Sequence, residues 1–124
     1  MSFDWKEYLS LAKELAGQAR KPASTEAKLR TAISRAYFSV YHCAKNYLIN
    51  KNMLKDLRHI THELVRDTFK DSDKEDWRDV GMTIDRLVWA RVKADYREFT
   101  GIEKKVIEVL SDSETVIDKI DSLE

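Results

Sequence analysis

From Thr25 to Asn50 the chain contains no proline or glycine, and its apolar positions recur at helical spacing. Leu29, Ile33, Ala36, Tyr37, Val40, Ala44, Tyr47 and Leu48 form one face, and Ala32, Phe38, Tyr41 and Cys43 widen it most of the way around. A helix that is apolar on most sides belongs in the middle of a protein. One strip stays polar: Lys28, Thr31, Arg35, Ser39, His42 and Asn46. At about 100° per residue, Arg35 and His42 fall within roughly 20° of each other, two turns apart on one face. Such a pair is either functional or part of a buried polar seam, partnered by tyrosine hydroxyls, carbonyls or acids.

The flanking pattern predicts four more helices. The first spans Asp4 to Ala16, with Asp4 and Glu7 resembling a capping box and Trp5, Tyr8, Leu9, Ala12, Leu15 and Ala16 as its apolar stripe. Gly17 ends it, and a linker carrying Pro22 leads to a cap at Ser24 or Thr25, with Glu26 suited to the positive helix end. After a break at Asn50 to Asn52, Leu57, Ile60, Leu64, Val65 and Phe69 keep a helical rhythm, which predicts a short helix over about 61–70. Asp71 to Asp76 reads as a charged loop with Asp73 as a cap. The fourth helix runs from about Lys74 to Phe99, with Trp77, Val80, Ile84, Leu87, Val88 and Val92 facing inward and Tyr96 and Phe99 extending that face. Gly81 weakens its start by roughly 1 kcal/mol relative to alanine, so that order could begin only near Thr83. Beyond Thr100-Gly101 a last helix carries Ile102, Val106, Ile107, Leu110, Ile117, Ile120 and Leu123 on its core side, with a kink expected at Ser111 to Ser113. Five helices with short connections predict an all-α, up-and-down antiparallel bundle, one domain over 1–124, with the second and fourth helices as the core pair.

Composition supports that class and narrows the chemistry. Three glycines and one proline in 124 residues leave little turn chemistry for a sheet. The 22 basic and 22 acidic residues cancel, so any nucleic-acid contact must come from a local patch. Lys51, Lys104 and Lys105 read as solvated charges. The lone Cys43 can form no internal disulfide and fits a packed thiol in a reducing compartment. The start, MSFDWKEY, is too charged for a signal peptide, and no apolar run approaches membrane length, so a cytoplasmic protein is expected. No metal or cofactor is expected: His59 and His62 do not make a ligand set, and no glycine-rich phosphate loop occurs. His62 is expected beside a helix cap, bonded to the backbone.

The segment SRAYFSVYHCAKNYL, Ser34 to Leu48, resembles the signature of the HEPN family (higher eukaryote and prokaryote nucleotide-binding domains) through Ser34, Arg35, Ala36, Tyr37, His42 and Ala44. Thr61-His62 followed by Leu64 and Phe69 resembles that family's Thr-His turn, and Leu87 to Tyr96, with Arg91, Ala94 and Asp95, resembles its fourth-helix motif. The resemblance implies a helical bundle that pairs into a homodimer. Many members are metal-independent ribonucleases built on an arginine a few residues ahead of a histidine, and many of those are toxins encoded beside a minimal nucleotidyltransferase antitoxin. Others are non-catalytic interaction modules, which is the alternative reading. A histidine and a fixed arginine suffice chemically: RNA cleavage needs a base for the 2′-hydroxyl and charge stabilisation at the phosphate. Arg35 and His42 fit the spacing. In nuclease members the motif usually lies on the fourth helix, where Arg91 is here followed by Val92, and Tyr96 stands in the slot for the histidine. Asp95, four residues from Arg91, would pair with it. The candidates are therefore Arg35, His42, Arg91, Asp95 and Tyr96, with RNA or a nucleotide as the ligand and a nucleotidyltransferase as the expected partner.

Overall fold

Ser24 opens the central helix by accepting the backbone N–H of Ala27 at 3.2 Å, and Glu26 lies in the first turn. This helix, α2 (Thr25–Asn50), is unbroken and buries Ile33, Tyr37, Val40, Tyr41, Ala44 and Leu48 along one side. Asn52, at φ 58°, turns the chain out of it, a left-handed conformation that asparagine tolerates. The computed structural model describes residues 4–19 and 21–123, without the side chains of Glu7, Tyr8 and Ser10. Four further α-helices complete it: α1 (Glu7–Leu15), α3 (His62–Lys70), α4 (Glu75–Tyr96) and α5 (Ile102–Asp121). A 3₁₀ turn over Leu57–His59 precedes α3, and no strand occurs among the described residues.

Pairings along the helices fix their directions. Lys119 meets Asp79 at 3.2 Å and Arg86 meets Asp112 at 4.0 Å, so α4 and α5 are antiparallel. Arg66 reaches Asp85 from one side of α3, while Lys70 packs against Gly81, so α3 and α4 are antiparallel too. Arg30 lies against Ala94, and Tyr47 against Trp77, giving the same result for α2 and α4. Tyr37 touches His62 and Tyr47 touches Phe69, so α2 and α3 run in the same direction. The connection over 51–61 returns along the bundle to make that possible.

The structure is the expected all-α helical bundle, with local departures. The most extensive partner of α2 is α5, ahead of α4. The α5 helix is continuous through Ser111 to Ser113; Ser113 is buried and its hydroxyl donates to the carbonyl of Val109 at 2.7 Å, which satisfies it without a kink. Its inner side carries Val109 and Val116 in place of the expected Ile107, which is 70% exposed, and Leu110. The α4 helix begins at Glu75, well before Thr83, and stops at Tyr96. Lys74 is its cap residue; Asp73 makes no side-chain cap, and Glu75 and Asp76 face the helix dipole instead.

The first helix is held by a carboxylate more than by its apolar stripe. Leu9, Leu15 and Trp5 are exposed, and Tyr8 lies outside the described side chains; only Leu11 packs inward, against Ala23 and Ala27. Glu14 accepts the N–H of Ala23 at 2.8 Å and pairs with Lys28 at 3.2 Å. Asp4 accepts the N–H of Lys6, ahead of the first turn, while the other half of the expected capping box, the Glu7 side chain, lies outside the description. Gly17, at φ 73°, ends α1 in the left-handed conformation that helix C-termini favour in glycine.

Candidate functional site

Two helices deliver cations to one aromatic ring. Arg35, on α2, stands 4.9 Å from the centre of the Phe38 ring, and Arg91, on α4, stands 5.2 Å from it. The antiparallel crossing of α2 and α4 makes this meeting possible. Phe38 is half-buried, so the ring is both an anchor against the core and a platform at the surface. Arg35, Phe38, Ser39 and His42 line an open depression. Arg35 and His42 are both exposed, which rules out the buried-seam reading for them.

Arg91 is half-buried and has neighbours on two further sides. Its Nε lies 2.7 Å from Asp95 Oδ2, off the direction of a directed hydrogen bond. Asp95 also accepts from the Ser34 hydroxyl at 3.3 Å, which ties α2 to the ion pair. Tyr96, expected on the inward face, is instead 68% exposed at the last residue of α4, and its ring lies 5.6 Å from the Arg91 guanidinium. The five residues singled out from the sequence are thus linked through Phe38 and Arg91.

His62 completes the cluster. Thr61 is the cap of α3, accepting the N–H of Leu64 at 3.0 Å, which leaves His62 as the first helical residue, turned toward α2. Its ring stacks on Tyr41 with centroids 3.9 Å apart, and its Nδ1 meets the Tyr37 hydroxyl. The expected backbone bond is replaced by this tyrosine contact. Tyr37 is buried, and desolvation pushes its hydroxyl up to about 12, so it stays a protonated group that can donate or accept. If Tyr37 accepts from Nδ1–H, Nε2 keeps a lone pair for a proton; if it donates, Nε2–H points outward as a donor.

Although His62 is exposed as a whole, desolvation where its ring lies against Tyr37 and Tyr41 holds the imidazole below its ordinary range, and the positive charges of Arg91, His42 and Lys45 add to that, opposed by Glu63. The shift favours the neutral imidazole. Proton NMR should find it titrating below the usual 6.5, and Arg91→Ala should move it upward; a titration that does not respond to Arg91→Ala contradicts the electrostatic coupling. The linked effect on stability has a definite sign. The unfolded chain takes up the proton first as pH falls through about 6.5, so His62 erodes stability from there down to its folded pKa.

Against this geometry, a family comparison is decisive. The model of the HEPN domain matches residues 5–123. The chain belongs to the HEPN family. No curated protein and no solved structure gives a match. The match covers all five helices, so the HEPN assignment includes the α2 strip, the Thr-His turn and the α4 motif together. Among the described residues no group of three or more His, Cys, Asp or Glu side chains is placed to hold a metal, and no helix is long and apolar enough to cross a membrane.

Sequence reasoning passed over Tyr37 and His62 as site residues, although both stand within the motifs that carried the resemblance. The available signal was Tyr37 and Tyr41, four apart on α2, which offer one aromatic face to whatever packs beside them. It also passed over Arg30, which is fully buried at the α2–α4 crossing. Arg30 donates to the carbonyls of Ala94 at 2.8 Å and Arg97 at 2.7 Å, and to Glu26 at 3.0 Å, so it fixes the end of α4 that carries Arg91 and Asp95.

Proposed function

We propose that this HEPN protein binds RNA at the Phe38 platform and cleaves it without a metal, using the RNA's own 2′-hydroxyl as nucleophile. The observation that carries the reading is the approach of Arg35 and Arg91, from separate helices, to one half-exposed ring beside two imidazoles. In this reading Arg35 and Arg91 hold the scissile phosphate and offset the charge that builds on it. His62, held neutral and pinned by Tyr37, takes the 2′-hydroxyl proton, and His42, open to solvent, protonates the leaving 5′-oxygen. The 2′-oxygen bonds to phosphorus as the P–O5′ bond breaks, which gives a 2′,3′-cyclic phosphate and a free 5′-hydroxyl. Phe38 and Tyr96 offer flat faces on which flanking bases stack. Asp95 positions Arg91 and moderates its charge.

Family membership supports two further elements of the reading: work as a homodimer, with two such sites brought together, and restraint by a nucleotidyltransferase partner.

The test is incubation of the purified protein with RNA in chelator. Cleavage with cyclic-phosphate ends is expected, and Arg91→Ala should lower its rate about 100-fold, in the range for loss of a charge-stabilising donor. Intact RNA after long incubation, with Arg35→Ala and Arg91→Ala indistinguishable from wild type, removes the enzyme reading. One observation favours a non-catalytic interaction module instead: Tyr96 stands where nuclease members carry histidine, and Arg91 is already paired with Asp95. Nucleotide titration by calorimetry distinguishes the two, since a module that binds only protein gives no heat.

A further inference from the structure

A cavity of about 500 Å³ lies between α4 and α5, away from the Phe38 platform. Arg86, Lys93, Arg97, Lys104 and Lys105 all line it, against a single carboxylate, Glu108. In a chain whose formal charges cancel, that is a strong local excess of positive charge. Some of it is already engaged: Arg86 lies 4.0 Å from Asp112, Lys105 lies 3.3 Å from Glu108, and Lys93 sits over the Phe99 ring at 4.9 Å. Neither Arg97 nor Lys104 has a carboxylate within ion-pair distance among the described residues. The wall also carries Trp89, which is 65% exposed and stacks on no other ring among the described residues. The long α5 helix begins at the cavity's edge with Gly101, without a side-chain cap, so its first N–H groups add positive potential.

An exposed indole flanked by uncommitted cations, in a space that suits one nucleotide, matches the chemistry of single-stranded nucleic acid: bases stack on the ring and phosphates meet the cations. An acidic peptide would use the cations but leave the indole face without a planar partner. We propose that the α4–α5 cavity is a second RNA-binding site, in which Trp89 stacks a base and Arg97 with Lys104 holds the adjoining phosphates of a strand engaged at the Phe38 platform. This rests on the RNA-binding part of the proposed function, and not on cleavage. Trp89 and Arg91 are two residues apart and so point to nearly opposite sides of α4. A strand that reaches both sites passes around the end of that helix.

The test is binding of a labelled single-stranded RNA of about 12 nucleotides, within the range such grooves occupy, followed by fluorescence anisotropy. It is made with 2′-O-methyl RNA, which lacks the 2′-hydroxyl nucleophile, so that the outcome does not depend on whether the protein cuts RNA. Trp89→Ala is expected to weaken binding about tenfold. The pair Arg97→Ala and Lys104→Ala should weaken it to a similar degree and reduce the slope of log affinity against log salt by about 1.4, as expected for two lost phosphate contacts. Intrinsic fluorescence of a Trp5→Phe protein, in which the 38% exposed Trp5 no longer contributes, should also be quenched by this RNA and not after Trp89→Ala, since Trp77 is only 7% exposed. Unchanged affinity and salt slope in these variants overturns the proposal, and so does competition by polyglutamate as effective as that by unlabelled RNA.

Discussion

Replacing Arg30 by alanine is expected to remove about 3 kcal/mol of folding stability, a large share of what a single domain has. The side chain is wholly buried, and its guanidinium is shared between two helices. One nitrogen serves the carbonyls of Ala94 and Arg97 at the end of α4, with that of Lys93 further off at 3.4 Å, while Nε meets Glu26 one turn back on α2. The ring of Trp5 covers it from outside at 4.9 Å. The last carbonyls of a helix have no partner within the helix, and a cation there also meets the negative end of the dipole. Alanine would leave those carbonyls and Glu26 without their donor, and a cavity beneath Trp5. Lysine should recover only part of the loss, because one ammonium cannot reproduce the planar fork that reaches both sets of acceptors. Urea unfolding followed by circular dichroism measures the effect: the midpoint should fall by roughly 1–2 M. An unchanged midpoint would mean that Arg30 is dispensable, and the account of how α4 is anchored would be wrong.

The second large effect runs against helix propensity. In an exposed helix, glycine to alanine gains roughly 1 kcal/mol. Gly81→Ala should instead cost about 2 kcal/mol, and Gly81→Val more, as expected for overpacking. A Cβ at Gly81 would come within 2.5 Å of the Lys70 backbone nitrogen and 2.8 Å of its Cα. Those are main-chain atoms, so α3 must move as a body, and its ion pairs from Arg66 and Lys70 to Asp85 must adjust with it. A thermal melt should show Gly81→Ala lower by roughly 8 °C. Because α3 also carries His62, the same substitution should move that imidazole away from Arg91 and raise its titration toward the ordinary value. An alanine variant as stable as the parent would show that the two backbones have room to spare.

These two positions also mark how far the sequence can be read. The extent of α2 was legible because propensity, capping and periodicity agree over Thr25 to Asn50, and Ser24 caps it as expected. Gly81 was misread because a glycine inside a helical pattern looks like a weak point when its neighbour in space is unknown; here its lack of a side chain is what admits Lys70. Arg30 stands seven residues before Tyr37 and fourteen before Ala44, on the buried line of α2. It drew no reading from the sequence, because nothing in the local pattern reveals carbonyls arriving from more than sixty residues away. At the site, the convergence of Arg35 with Arg91 needed the α2–α4 crossing, but each was visible as part of a motif. His62 was hidden by its own cap: Thr61 explained the start of α3 so well that the imidazole beside it was left with a backbone role.

The buried guanidinium of Arg30 has a consequence for motion. Terminal turns of helices ordinarily fray, opening and closing at little cost. The last turn of α4 cannot do so independently, because releasing the carbonyls of Ala94 and Arg97 would strand a charge in the interior. That turn carries Asp95, with Arg91 one turn before it and Arg97 just beyond the helix end. Hydrogen exchange at Ala94 to Arg97 is therefore expected to follow the core amides and not those of a frayed helix end.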